Sequence, residues 1–154
     1  MWLIKTIVIV VVLLVGVSFF TLHRNGANLT DEPGFSKRLA IFLKTNTAST
    51  SDSPYLEELR TPVFDLPVEA LYRKVLSAAS DLRWSIVAHD SEKRTINIIV
   101  RSPVFLFEDD IYVEVKAVDA QQSSLYIESS SRKGGADLAA NSGHIQKLIS
   151  ELRK

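Results

Sequence analysis

The sequence contains no cysteine, only three histidines and no excess of charge, with 18 Lys and Arg against 18 Asp and Glu in 154 residues. The missing cysteines exclude disulfides, thiolate nucleophiles and zinc sites with sulfur ligands. Nucleic acids are bound through net or clustered positive charge, so this composition predicts no nucleic-acid partner. The sequence also lacks a Walker loop, a dinucleotide-binding glycine motif, a His-Glu-x-x-His helix and a nucleophile elbow. We therefore expect no cofactor and no dedicated metal site.

An uncharged apolar run at residues 6–22 is the strongest single signal. Together with Trp2–Ile4 and Lys5 it reaches about 20 residues, the length that a helix needs to cross a bilayer. A cleaved signal peptide has a shorter apolar region, and the one nearby cleavage candidate, Asn25-Gly-Ala27, begins with an unsuitable residue. The sequence predicts an uncleaved single-pass anchor over residues 2–22. The short leader favours a bacterial inner-membrane protein with its domain in the periplasm, whereas the basic residues after the run favour the opposite orientation.

Residues 23–53 are interpreted as a juxtamembrane amphipathic segment followed by a polar linker. Within residues 35–44 the apolar side chains share one helical stripe, which lies either on the membrane surface or on the folded domain. Residues 45–53 are polar without apolar periodicity, as is typical of a linker. The globular domain is therefore predicted at residues 54–154.

Hydrophobic periodicity within residues 54–154 predicts the order strand, helix, four strands, helix. The first helix follows Asp65 and Pro67, and the last begins near Asn141. Short connections between the strands favour antiparallel pairing. The predicted fold is α+β, with a mainly antiparallel sheet of about five strands and two helices on one face, preceded by the N-terminal transmembrane helix.

The clearest strand pair is a hairpin at residues 111–129, where apolar and polar residues alternate on both sides of the loop 119–124. Its open ends lie at one edge of the sheet, so acidic residues before the first strand should meet serines and an arginine after the second. Arg132 is suited to hold an aspartate with two parallel hydrogen bonds. The candidate polar cluster, structural or ligand-binding, consists of Asp109, Asp110, Ser129, Ser131, Arg132, Asp137 and Asn141.

Three sequence motifs in residues 60–152 resemble the bacterial domain-of-unknown-function family numbered fourteen ninety-nine. The motifs are Trp84, Phe105-x-Phe107-x-Asp109-Asp110, and Ser129-x-Ser131-Arg132-x-Gly134-x-x-Asp137-Leu138-x-x-Asn141. The chain departs from the family at Ala139, where glycine is usual, and at Ser142 and His144, where the family carries arginines near the last helix. It also lacks the family's Cys-Pro…Asn-Cys segment. The resemblance implies a fold and candidate positions but no activity.

Non-catalytic binding of a protein partner or a small ligand in the cell envelope is the function that the sequence favours. One alternative is a metal-dependent hydrolase that uses the Asp109 and Asp110 pair, with Asp137 or His144 as a further ligand. Another is a carrier of an apolar or lipid-like ligand, held between the sheet and its helices.

Overall fold

The computed structural model describes residues 1–101, 104 and 106–154. Phe105, which belongs to one of the resemblance motifs, lies outside the described residues. The elements in chain order are α1 (Trp2–Arg24), α2 (Phe35–Lys44), β1 (Thr47–Ser49), β2 (Val63–Phe64), α3 (Val68–Asp81), β3 (Ser85–Asp90), β4 (Thr95–Arg101), β5 (Glu108–Ala117), β6 (Ser123–Ser131) and α4 (Ala140–Leu152). A short 3₁₀ helix at Glu57–Leu59 lies between β1 and β2.

The strands form one antiparallel sheet in the order β1-β6-β5-β4-β3, and β2 pairs with the other end of β6. One face carries the apolar residues of the alternating strands, and α3 and α4 cover it. The central core residues are Leu71, Val75, Ile96, Ile98, Ile111, Val113, Leu125, Ile127, Ile145 and Leu148. The predicted α+β fold is confirmed.

In β3 a register shift lies between Ile86 and Ala88. Ala88 is therefore exposed, although strict alternation would turn it to the same face as Ile86. A bulge of this kind inserts one residue and moves the following side chain to the other face.

The structure differs from the predicted linker, because residues 47–49 form strand β1. Its residues pair with Ser130, Ser129 and Glu128 at the end of β6, and Thr50 beyond it is buried. Strand β1 lies at the edge of the sheet, so one side of its backbone has no partner strand. Polar residues such as Thr47 and Ser49 suit this exposed edge.

Helix α2 packs on the domain, which decides between the two predicted positions for residues 35–44. Phe42 is only 2% exposed and belongs to the core. Arg38 is fully buried, and its guanidinium donates to the carbonyls of Asn28 and Glu32 while it pairs with Glu58. A buried arginine is stable only with such complete pairing, so these contacts fix α2 to the segments on both sides of it.

Helix α1 has 23 residues, and by length and composition it is long and apolar enough to cross a membrane. Its side chains are exposed until the last turn, where Thr21 and Leu22 become buried against the domain. Asn25 then donates to the carbonyl of Leu138 at 2.8 Å. A Cβ at Gly143 would overlap the Asn25 carbonyl oxygen, so only glycine permits this close approach. The end of α1 is thus joined to the start of α4.

Candidate functional site

Asp109 and Asp110 are consecutive in β5 and therefore point to opposite faces of the sheet. Asp109 lies opposite Ser131 on the helix-covered face and is 1% exposed. Asp110 lies opposite Ser130 on the solvent face. The two carboxylates therefore do not converge on a shared metal, contrary to the arrangement that the hydrolase alternative requires.

Arg132 organises an ion-pair cluster on the solvent face. Its guanidinium donates to both oxygens of Asp110, at 2.8 and 2.6 Å, and to Glu108 at 2.8 Å. The hydrogen bond from Arg132 lowers the pKa of Asp110. The predicted partners Asp109 and Asp137 are not in this cluster, because both belong to the buried side.

Replacing Arg132 with alanine should leave the free energy of unfolding almost unchanged, because exposed ion pairs contribute little. The side chains of Arg132 and Asp110 are 43% and 49% exposed. Chemical denaturation of the detergent-solubilised chain measures the change, with Arg60→Ala as the matched control, because Arg60 pairs with Glu57 at a separate exposed position. A loss as large as that from truncating a buried core residue would contradict a surface role.

The helix-covered face holds the rest of the predicted cluster around the Asn141 amide. This amide accepts from the Ser129 hydroxyl at 2.6 Å and donates to the Ser131 hydroxyl at 3.0 Å and to the Asn46 carbonyl at 2.8 Å. Asn141 thereby joins α4 to β6 and to the residue preceding β1. Ser129, Ser131 and Asn141 are held by one another, which favours a structural role for them.

Asp137 stabilises the beginning of α4. Its carboxylate accepts from the backbone amides of Ala139 at 2.9 Å and Asn141 at 3.1 Å, two donors that the helix leaves free. Burial raises the pKa of Asp137, and the hydrogen bonds from Asn141 and Ala139 oppose that rise. Leu138 and Ala139 both have positive φ. Glycine adopts this conformation without strain, so Ala139 occupies a position that would suit glycine better.

Asp109, on the same face, has a buried carboxylate that lacks well-formed hydrogen bonds. Neither of its carboxylate oxygens has a hydrogen-bond partner of good geometry among the described residues. Burial raises the pKa of Asp109 to about 6. The Ser131 hydroxyl, which lies opposite it in the sheet without good hydrogen-bond geometry, offsets part of the rise as a donor, and the charges of Asp137 and Asp110 add to it. Above this pH the site holds a buried negative charge.

His144 is the nearest titratable neighbour, with its Nδ1 3.7 Å from a carboxylate oxygen of Asp109. That Nδ1 also has no hydrogen-bond partner among the described residues. Burial, with a contribution from the charge of Lys147, lowers the pKa of His144 to about 4. The imidazole, which packs edge-on against Trp84 with 6.0 Å between the ring centroids, is neutral at pH 7 and does not compensate the carboxylate.

A cavity of about 90 Å³ opens beside Asp109, and we call it the Asp109 cavity. It lies between the end of α1, the start of β5 and the loop that precedes α4. The described residues that line it are Thr21, Asn25, Val104, Phe107, Asp109, Ser131, Lys133, Ala136, Asp137, Leu138 and Ala140. A single water needs about 10 to 15 Å³ of such space, so a small polar group fits.

A second, open groove of about 620 Å³ runs along β1 and α2. Its wall is largely apolar and includes Phe42, Ala48, Tyr55 and Leu56. The predicted position of an apolar pocket, between the sheet and its helices, is instead filled by the hydrophobic core.

Sequence reasoning missed the contributions of α1 and of Asn46 to this region. The sequence indicates Asn25 only as the first residue of a possible cleavage site. Its side chain instead donates a hydrogen bond to the carbonyl of Leu138, 113 residues away. No local pattern identifies such a contact. In contrast, strand periodicity alone predicts that Asp109 and Asp110 point to opposite faces of the sheet.

The family model described as "Protein of unknown function (DUF1499)" matches residues 29–152. This match includes α2 and β1, which lie before the region covered by the sequence resemblance. A search of curated proteins finds no match to the chain.

Proposed function

This chain belongs to the DUF1499 family, and we propose that it is a membrane-anchored, non-catalytic domain that binds a small cationic ligand in the Asp109 cavity. The supporting observation is the buried Asp109 carboxylate, which lines the cavity and, apart from the poorly aligned Ser131 hydroxyl, has no hydrogen-bond partner among the described residues. Buried charges in proteins are normally paired, because an uncompensated one destabilises the fold. A charge kept unpaired beside a cavity is a candidate for ligand binding.

The chemistry of the cavity favours an organic cation that donates hydrogen bonds. Asp109 and the side-chain oxygen of Asn25 are both buried acceptors that are unpartnered within the described residues. A hard metal ion prefers several carboxylate or carbonyl ligands. The described residues contain no group of three or more His, Asp and Glu arranged to hold a metal. An ammonium group, with three donors and no acceptor, matches the available atoms.

The membrane anchor in this proposal is α1. Its length and composition are compatible with a bilayer span, and the side chains of its apolar stretch are exposed to the surroundings instead of being buried in the protein. The bacterial inner membrane, with the domain in the periplasm, remains the location that we propose.

Isothermal titration of the purified full chain with methylammonium tests the binding function. We expect saturable binding to the wild type and at least tenfold weaker binding to Asp109→Asn, because removing one partner of a buried charge pair costs about 2 kcal/mol or more. Asp110→Asn is the matched control, since this neighbouring carboxylate lies outside the cavity. Equal affinities of the wild type and Asp109→Asn, or no binding at all, would overturn the proposal. Binding of Mg²⁺ or Zn²⁺ in place of the amine would instead favour the metal-site alternative.

Transport of an apolar ligand is a second candidate, supported by the open groove along β1 and α2. Native mass spectrometry of the detergent-extracted chain would detect a retained lipid. A retained lipid displaced by an added fatty acid, and lost on Ala48→Glu, would place it in this groove.

A further inference from the structure

The Asp109 cavity lies at the depth of the lipid headgroups when α1 spans a bilayer. The 23 residues of α1 extend about 35 Å at 1.5 Å per residue, and the hydrocarbon core is about 30 Å thick. The last turn of α1 and the following Asn25 therefore lie at the interface between hydrocarbon and water. Thr21 and Asn25 line the cavity.

The depth of the cavity is fixed by contacts between α1 and the domain. Leu22 is 2% exposed and belongs to the hydrophobic core. The hydrogen bond from Asn25 to Leu138 and the close approach of Gly143 join the helix end to the wall of the cavity. When α1 spans a bilayer, the domain is therefore held at the membrane surface with the cavity beside the anchor, at the depth of the lipid headgroups.

We propose that the ligand is the ethanolamine headgroup of a membrane phospholipid, whose ammonium group binds Asp109 and Asn25. This inference rests on the proposed function and names its ligand. The ammonium group supplies hydrogen-bond donors to two buried acceptors that lack partners among the described residues. It also neutralises the buried carboxylate at neutral pH.

Lys133 and two apolar residues fit the remainder of such a lipid. Lys133 is exposed and lines the cavity, where its ammonium group suits the lipid phosphate. Val104 and Phe107 line the same cavity and offer apolar contact to the glycerol and acyl portions. Acceptors inside the cavity and a cation at its edge match the order of charges in a zwitterionic headgroup.

The chemistry of other headgroups predicts that the Asp109 cavity discriminates between phospholipids. The trimethylammonium of phosphatidylcholine has no N–H to donate, so it would leave the acceptors of Asp109 and Asn25 unsatisfied. Phosphatidylglycerol carries an uncharged glycerol in place of the ammonium group, so it would leave the charge of the buried Asp109 carboxylate uncompensated. We therefore expect phosphatidylethanolamine to bind at least about tenfold more tightly than either lipid.

Native mass spectrometry of the full chain in mixed micelles tests this expectation, with equal amounts of phosphatidylethanolamine, phosphatidylcholine and phosphatidylglycerol. The wild type and Asp110→Asn should retain phosphatidylethanolamine at least about tenfold above the other two lipids, and Asp109→Asn should retain all three equally. Lys133→Gln should reduce retention of all three lipids a few-fold without changing their order, because it acts on the phosphate that they share. Enrichment that persists in Asp109→Asn, or equal retention by the wild type, would overturn the lipid assignment.

Titration with free ethanolamine separates the lipid assignment from the proposed function. Binding that depends on Asp109 but occurs without lipid enrichment would refute the lipid and leave a soluble amine as the ligand. Absence of binding by the free amines, methylammonium and ethanolamine, would refute the proposed function and the lipid assignment that rests on it.

Discussion

Asp109→Asn is expected to raise the free energy of unfolding of the ligand-free chain by about 1 to 3 kcal/mol at pH 7.5. The pKa of Asp109 is about 6 in the folded chain, whereas an unfolded aspartate titrates near 3.9. The folded state therefore disfavours the charged carboxylate, and above pH 6 this charge destabilises the protein. Asparagine has nearly the same shape but no charge, so it removes that cost. A binding site that gains stability when its ligand-binding residue is replaced shows the expected conflict between stability and function.

The stability that Asp109→Asn gains over the wild type should disappear as the pH falls through 6 towards 4. Within this window the folded wild type binds a proton at Asp109 before the unfolded chain does, so the wild type recovers the stability lost at higher pH. The charged and titratable groups near the carboxyl are Asp110 on its own strand, Lys133 and Asp137 in the loop, and His144 and Lys147 on α4.

His144 has the opposite pH dependence. Its pKa is about 4 in the folded chain and near 6.5 when unfolded, so the stability from its neutral form is complete above pH 6.5 and is lost as the pH falls to 4. In the wild type, the contributions of Asp109 and His144 to the free energy of unfolding change in opposite directions between pH 4 and 6 and largely cancel. In Asp109→Asn only the contribution of His144 is left, so this variant should lose stability as the pH falls. His144→Gln should remove that loss.

Denaturant titrations of the detergent-solubilised chain at half-unit pH intervals measure these effects. Asp110→Asn is the control, since Arg132 lowers the pKa of Asp110 and the substitution should not stabilise the protein. A lower stability of Asp109→Asn at pH 7.5 would contradict the prediction and show that the carboxylate is paired in solution.

The sequence predicts the sheet and its hairpin, but it does not predict which residues come together in the candidate site. Alternation in β5 and β6 predicted the pairing that places Asp109 opposite Ser131, because a period of two is a local property of strands. The sequence predicts the partner of Arg132 only in part, because it leaves Asp109, Asp110 and Asp137 all available to the guanidinium. Strand periodicity already separates Asp109 from Asp110, so this part of the error was avoidable.

The proximity of His144 and Asp109 could not be predicted from a single sequence. It depends on how α4 lies across the sheet, and crossing geometry is set by packing of the whole core rather than by local pattern. The same limit applies to Asn25, which reaches the cavity only because Gly143 admits the end of α1. Strand β1 was missed because Thr47-Ala-Ser49 is short and polar, and its stability comes from pairing with β6.

The largest expected effect is the loss of cooperative folding when residues 1–53 are removed. This truncation deletes Phe42, and loss of a buried phenylalanine alone costs about 3 to 5 kcal/mol. It also removes the amide of Thr50, which donates to Ile127 at 2.9 Å, and the carbonyl of Asn46, which accepts from Ser131 at 2.9 Å. Domain stabilities are only about 5 to 15 kcal/mol, so the combined losses should exceed what the remaining core provides.

A series of soluble fragments tests whether the folding unit begins before Pro54. Fragment 28–154 keeps the Arg38 contacts and β1, so we expect a cooperative thermal transition by circular dichroism. Fragment 45–154 retains β1 but lacks α2, and it should melt at a lower temperature. Fragment 54–154 exposes the outer edge of β6 and should aggregate or melt without cooperativity, because unpaired edge strands promote association. A cooperative melt of 54–154 within a few degrees of 28–154 would contradict this expectation and place the domain boundary near Pro54, with α2 and β1 as accessory elements.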